Sequence, residues 1–314
     1  MEPESSTLLK EIAKKNHIVK GVRITFIVVL IAFAFTLLTD GIFSSLPPKV
    51  PEMISLVVYT LIAFYFYRPE KGTLLKSNNK MTATGFFVIL GAFMLARLVS
   101  ELVIALLTAV TINEETVSLD AFESTLNHPF MTFLFMCIVT PICEETVFRG
   151  CIGNNFKKHG VKFAIIMSSV LFAVYHLNFL QLVSAFLMGM VLFYIAMNYS
   201  IKWSILFHFI NNTIAICTSQ LLKDNIELSA VVNGVSYAVE IVFIIVALVL
   251  MKKDNARQKV KDFFRSPENE SGVYKASMFN IWFILTVIVF AVMSVMIMLS
   301  LNGVIDTSGV AAAA

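Results

Sequence analysis

Charge is scarce in this chain. Of its 314 residues only 14% are Asp, Glu, Lys or Arg, where soluble domains carry about 25%. Apolar side chains take the place of the missing charge, at 58% of the sequence with a mean hydropathy of +0.81. That excludes a water-soluble globule, because a surface made from such an excess would be one contiguous apolar patch. Cysteine is also sparse. Cys137, Cys143, Cys151 and Cys217 show no CxxC spacing and lie in or beside apolar runs, so a disulfide framework is excluded and they read as small hydrophobes. There is no glycine-rich phosphate loop, no fixed-period repeat and no heptad run with charged flanks. No HExxH helix is present, so the arrangement of the soluble zinc proteases is absent. Nothing in the pattern points to nucleic acid as a partner.

The sequence does contain apolar blocks of about 20 residues, the length a helix needs to cross roughly 30 Å of hydrocarbon. Inside lipid every backbone N–H and C=O must be paired internally, and continuous runs of Leu, Ile, Phe and Met suit helices rather than alternating barrel strands. The expected fold is all-α, a polytopic transmembrane helical bundle of eight or nine spans. The nine candidates are Val22 to Ile42, Met53 to Tyr67, Thr84 to Val110, Pro129 to Cys143, Phe163 to Tyr175, Leu180 to Met197, Trp203 to Leu222, Val231 to Met251 and Phe279 to Leu301. The fourth and fifth look short and are expected to run past these limits. The first block lacks a small-residue cleavage pattern and reads as a retained span.

Basic residues alternate between the connections. One set holds Lys10, Lys14, Lys15, Lys20 and Arg23, then Arg68, Lys71, Lys76 and Lys80, then Arg149, Lys157, Lys158 and Lys162, then Lys202, and last the run from Lys252 to Lys275. The other set offers Lys49 and Lys223, and its member Thr111 to His128 has four acids and no base. The positive-inside rule puts the N-terminus in the cytoplasm of a multi-pass plasma-membrane protein. The Lys, Ile, Asn and Phe content suggests a bacterial source. The chain divides into a cytoplasmic segment 1–21, N-terminal spans 22–128, a core 129–222, and C-terminal spans 223–314 with a basic loop at 252–277 that reads as a loop or a surface-lying amphipathic piece.

An ionisable group near the bilayer centre costs at least about 2.5 kcal/mol, so each one needs a reason. Glu145 and Arg149 are four apart, acid before base, and form a favourable helical pair, while Glu144 points about 100° away without that partner. Pro141 loosens the helix just before them. His176 lies four residues after Phe172 in an otherwise apolar span, and Asn212 lies one turn from His208 on the same face, with Asn211 rotated off it. Arg97 and Glu101 read as a structural pair, and Glu240 stands alone. His17, His128 and His159 lie outside the spans and need no catalytic reading.

If the fourth, fifth and seventh spans pack together, Glu144, His176, His208 and Asn212 converge in one polar cavity. A carboxylate and two imidazoles can then activate water in two ways. Glu144 is a general base while the histidines and Asn212 orient the water and stabilise an oxyanion, or Glu144, His176 and His208 hold a zinc ion. The spacing leaves both open, and the cofactor is zinc or none. A transporter or channel, or a non-catalytic immunity or scaffold protein that binds a peptide, would use the same polar groups differently.

These residues resemble the CPBP family, the CAAX-processing and bacteriocin-processing membrane endopeptidases also called Abi proteins. That family is marked by EExxxR, FxxxH and HxxxN or HxxxD, and this sequence has Glu144-Glu145-x-x-x-Arg149, Phe172-x-x-x-His176 and His208-x-x-x-Asn212 in that order, with Gly150 and Gly189 as looser agreements. The resemblance covers about Pro141 to Asn212. It implies an intramembrane endopeptidase in which Glu144 activates water with His176, His208 and Asn212 shape the oxyanion site, and Glu145, Arg149 and Phe172 give structural support. The expected substrate is a hydrophobic or membrane-associated peptide in the lipid bilayer, cleaved near the cytoplasmic face.

Overall fold

The computed structural model describes residues 2–39, 46–47, 49–67, 79–111, 128–222, 226–253, 258 and 272–301. The loop or amphipathic piece expected at 252–277 and the acidic connection 111–128 lie largely outside them.

Among the described residues there are ten helices and no strand. They are α1 (Glu2–Thr39), α2 (Val50–Tyr67), α3 (Ala83–Thr111), α4 (Pro129–His159), α5 (Val161–Tyr175), α6 (Phe179–Asn198), α7 (Ile201–Leu222), α8 (Ile226–Lys253), α9 (Val273–Met278) and α10 (Ile281–Leu301). By length and composition α2, α3, α4, α6, α8 and α10 are long and apolar enough to cross a membrane, and α5 is a shorter apolar helix. The chain is a multi-pass integral membrane protein.

Two apolar cores flank α6. One is built on α1, α2, α4 and α5 around Tyr59, Phe148, Phe156 and Phe163 and takes Ala185 and Phe193 from α6. The other, from α3 and α7, takes Met188, Leu192 and Ile195. Phe93 and Phe207 meet in it with ring centres 5.7 Å apart. On α8 the outward residues Val231, Val235, Val242 and Ile245 are more than half exposed, which suits contact with lipid tails.

α4 is one long composite helix. Two stretches, Leu134–Val139 and Glu145–Gly153, are wound in π register, a widening that recurs at functional sites. The expected extension of the fourth span is therefore large, and Glu144 sits in the middle of α4 rather than at its end. The fifth span does not extend. α5 stops at Tyr175, His176 caps it, and Leu177 turns the chain at φ +52. Asn178 then opens α6 by accepting a hydrogen bond from the Leu180 N–H at 3.0 Å. The expected lengthening of the fifth span past Tyr175 is not found, and His176 is held at a sharp reversal between α5 and α6.

Candidate active site

The wide turns of α4 create the first local need. In the π stretch the Thr140 N–H reaches back to the Phe135 carbonyl. The next donor in that register, for the carbonyl of Met136, would come from Pro141, which has no N–H. Asn212 of α7 fills the gap: its Nδ2 donates to the Met136 oxygen at 2.7 Å. Pro141 and Asn212, 71 residues apart, thus answer one another through a freed carbonyl.

The adjacent glutamates have opposite surroundings. Glu145 is fully buried and saturated: Oε1 accepts from Arg149 Nη1 at 2.8 Å and from His208 Nδ1 at 2.9 Å, and Oε2 accepts from the Ser204 hydroxyl. Glu144 is 4% exposed, and its Oε2 has no hydrogen-bond partner among the described residues. That oxygen stands 3.8 Å from His208 Nε2. A buried, unsatisfied carboxylate oxygen is expensive in any fold and asks for a reason. Because Nδ1 of His208 donates to Glu145, the proton of its neutral ring is fixed on that side and Nε2 keeps its lone pair toward Glu144.

Arg149 shows the same economy of placement. Its guanidinium lies 4.2 Å over the Phe172 ring, with Nη2 directed at the Gly189 carbonyl at 3.4 Å. The missing side chain of Gly189 lets α6 lie close against α5: a Cβ there would lie 3.0 Å from Ser169 Cβ. Phe172 meets His176 and His208 edge to face at 4.7 and 6.1 Å, so one ring spaces both imidazoles and the arginine. His176 Nδ1 donates to the Phe172 carbonyl at 2.8 Å, which leaves Nε2 as the lone-pair nitrogen.

Glu144, Phe172, His176, His208 and Asn212 all line one cavity of about 750 Å³. Its wall uses Glu52 to Tyr59 of α2, Arg97 to Ala105 of α3, Phe135 to Glu144 of α4, Phe172 to Leu177 around the end of α5, Gln181 to Leu192 of α6, His208 to Thr218 of α7 and Asn233 to Tyr237 of α8. In α2, α3, α5 and α8 this is the part farther from the basic connections, whereas Glu144 lies at the middle of α4 and His208 and Leu192 lie in the halves of α7 and α6 nearer Lys202.

The structure therefore brings the sequence candidates together, with Glu145 and Arg149 behind the cavity and Phe172 beside it. It adds Ser204 and joins residues that the sequence left apart. Ser204 lies one turn before His208, and that turn was the available signal. Arg97, Glu101, Asn211 and Glu240 form a second charged cluster: Arg97 Nη2 meets Glu101 at 2.9 Å, Nε meets Glu240 at 3.0 Å and Nη1 donates to Asn211 Oδ1 at 3.2 Å. The Arg97 and Glu101 pair was legible four residues apart. Glu240, on α8, could be joined to it only by the packing.

Among the described residues no three His, Cys, Asp or Glu side chains come together as a group that could hold a metal ion. His208 donates from Nδ1 to Glu145 and turns its lone-pair Nε2 to Glu144 at 3.8 Å, which is how a metal-binding imidazole is commonly supported, so these two groups fit a zinc ion and what the arrangement lacks is a third ligand grouped with them.

Residues 126–214 match the family model described as type II CAAX prenyl endopeptidase Rce1-like, which belongs to the CPBP family. The match supports a CAAX-type intramembrane protease, a hydrolase in a lipid environment whose substrate is a membrane-associated peptide. No curated protein and no solved structure matches the chain.

Proposed function

We propose that the chain is an intramembrane endopeptidase in which Glu144 and His176 activate a water molecule against a peptide bond of a hydrophobic or membrane-associated peptide. The observation that carries this is the contrast within one dipeptide: Glu145 is consumed by three hydrogen bonds, while Glu144 keeps a buried oxygen unpaired in a cavity shared with two histidines. Glu144 takes a proton from water, and the hydroxide adds to the peptide carbonyl carbon. The oxyanion is met by the one amide N–H of Asn212 that Met136 does not use, while His208, its Nδ1–H held by Glu145, shapes that side of the cavity and can donate from Nε2 only after that nitrogen takes up a proton. Collapse of the intermediate breaks the C–N bond as the proton passes from Glu144 or His176 to the leaving amine. Glu144, His176, His208 and Asn212 all lie within the matched stretch 126–214.

The test is cleavage of internally quenched hydrophobic peptides, with and without a prenylated cysteine, by protein reconstituted in vesicles. Glu144→Gln and His176→Ala are expected to lower turnover by about 10³-fold, as loss of a general base does. Wild-type rates in either variant would overturn the roles. Turnover that survives a strong chelator is expected from side-chain chemistry, and its loss on chelation would favour the zinc alternative.

A second reading concerns depth. The sequence put cleavage near the cytoplasmic face, yet the cavity wall on α2, α3, α5 and α8 comes from segments farther from the basic connections, with Glu144 at the middle of α4. That favours entry from the extracytoplasmic half. A reporter peptide tethered to a bulky impermeant group is then cleaved only when added to the side opposite the basic connections, and cleavage from the basic side alone restores the cytoplasmic assignment.

A further inference from the structure

Arg97 is joined to Asn212 by a chain of hydrogen bonds whose direction is fixed at both ends. Arg97 Nη1 donates to Asn211 Oδ1 at 3.2 Å, Asn211 Nδ2 donates to Asn212 Oδ1 at 3.1 Å, and Asn212 Nδ2 donates to the Met136 carbonyl at 2.7 Å. A guanidinium can only donate and a carbonyl can only accept. Both amides between them are therefore forced into one orientation, with each oxygen toward Arg97 and each NH₂ toward α4. An amide flip anywhere in the chain would set donor against donor or acceptor against acceptor.

Arg97 is itself held rigidly. Glu101 on its own helix and Glu240 on α8 take its Nη2 and Nε, and Glu240 is 2% exposed. The approach of α3 to α8 that permits this depends on Gly91, where a Cβ would stand 2.2 Å from Ala247 Cβ. Arg97, Glu101, Asn211 and Asn212 line the same cavity as Glu144.

We infer that Arg97, clamped by Glu101 and Glu240, is a positioning residue that acts through Asn211 to present the remaining N–H of Asn212 to the oxyanion. The inference rests on the endopeptidase reading above. It extends the working site to α3 and α8, outside the region 126–214 that matches the family model. Arg97 touches no reacting atom in this role. What it supplies is amide polarity two residues away.

The informative substitution is Asn211→Asp, which keeps an acceptor for Arg97 and so keeps the clamp, but replaces the N–H that faces Asn212 Oδ1 with a second acceptor. On the reporter peptides, kcat is expected to fall tenfold or more with KM within twofold and with an unchanged unfolding temperature in detergent. In an Asn212→Ala background the same change is expected to have no further effect, since its route to the reaction is gone. Effects that simply multiply, or a kcat loss that follows a loss of stability, would overturn the positioning role. A readout free of activity separates this from the endopeptidase reading. In protein labelled with ¹⁵N-asparagine, Arg97→Met should shift the side-chain amide resonances of Asn212 and speed their hydrogen exchange. Unchanged resonances refute the inference even if the protease reading holds. Shifted resonances in a protein that cleaves no reporter leave the orienting chain standing and refute the protease reading.

Discussion

Two clusters in this molecule are written in nearly the same letters. Each has two glutamates and one arginine, with one pair four residues apart on an apolar helix: Glu145 and Arg149 with Glu144 on α4, and Arg97 and Glu101 with Glu240 across α3 and α8. Each also leaves one buried carboxylate oxygen without a hydrogen-bond partner among the described residues, on Glu144 and on Glu240. The clusters differ in what surrounds the leftover oxygen. Histidines reach the cavity from two further helices beside Glu144, and His208 Nε2 comes within 3.8 Å of it, whereas the Arg97 cluster is completed by an asparagine. On the roles proposed above, the same charge pattern serves bond-breaking chemistry in one place and orientation in the other, and neighbours on other helices decide which.

The comparison is broken most severely by removing the inner partner of each arginine. Glu145→Ala strands Arg149, which is 1% exposed, and frees both Ser204 and His208. Loss of one member of such a buried pair is worth about 3–5 kcal/mol. Glu240→Ala leaves Arg97 with Glu101 and Asn211 and with 13% of its side chain exposed, so its loss should stay near the 1–3 kcal/mol of an unsatisfied buried group, roughly half as much. Thermal unfolding in one detergent measures both. Equal losses would mean that the Arg97 cluster is as tightly closed as the Glu145 cluster.

The helix approaches behind the two clusters sharpen the contrast at a smaller scale. Gly91→Ala would set a Cβ 2.2 Å from Ala247 Cβ and 2.7 Å from the Phe243 carbonyl, so α3 and α8 must part. Overpacking of this kind costs about 1–3 kcal/mol. Gly189→Ala meets Ser169 atoms at 3.0 to 3.2 Å and asks for a shift of only a few tenths of an ångström. The ranking expected in unfolding temperature is wild type, then Gly189→Ala, then Gly91→Ala. A reversed order would show that the α5–α6 contact is the more rigid one.

Much of this was legible in the sequence because the decisive terms are local. Apolar length and the absence of charge dictate spanning helices, and the four-residue spacings of Glu145 with Arg149, Phe172 with His176 and His208 with Asn212 report one helix face each. What could not be read depends on register and on distant partners. Continuation of α4 to His159 leaves Glu144 away from a helix end, and nothing in the apolar run around Phe135 announces the π turns within it. The reversal at Leu177 has no glycine to mark it, so the fifth span seemed free to continue. Glu240 stood alone in sequence because its partner lies 143 residues earlier.

The smallest expected effect lies at the basic end of the bundle, far from either cluster, and tests whether that end is an inert scaffold. His17 Nδ1 and His159 Nε2 are 2.9 Å apart and tie α1 to the end of α4. Two imidazoles can share such a bond only while one facing nitrogen keeps its lone pair. Burial, then His159 and Lys158, and more weakly Lys20, hold the His17 pKa below its ordinary 6.5, against a hydrogen bond with Asn155 that raises it. A histidine depressed in the folded state binds its proton more readily when unfolded, so its contribution to stability is present above about 6.5 and fades as pH falls toward the lower folded value. Wild type should therefore unfold at a slightly higher temperature than His17→Gln at pH 7.5, and the two should converge by pH 5. A difference that is constant between those pH values would assign the contact to packing alone. A difference that grows on acidification would require His17 to be stabilised as a cation, against the two lysines beside it.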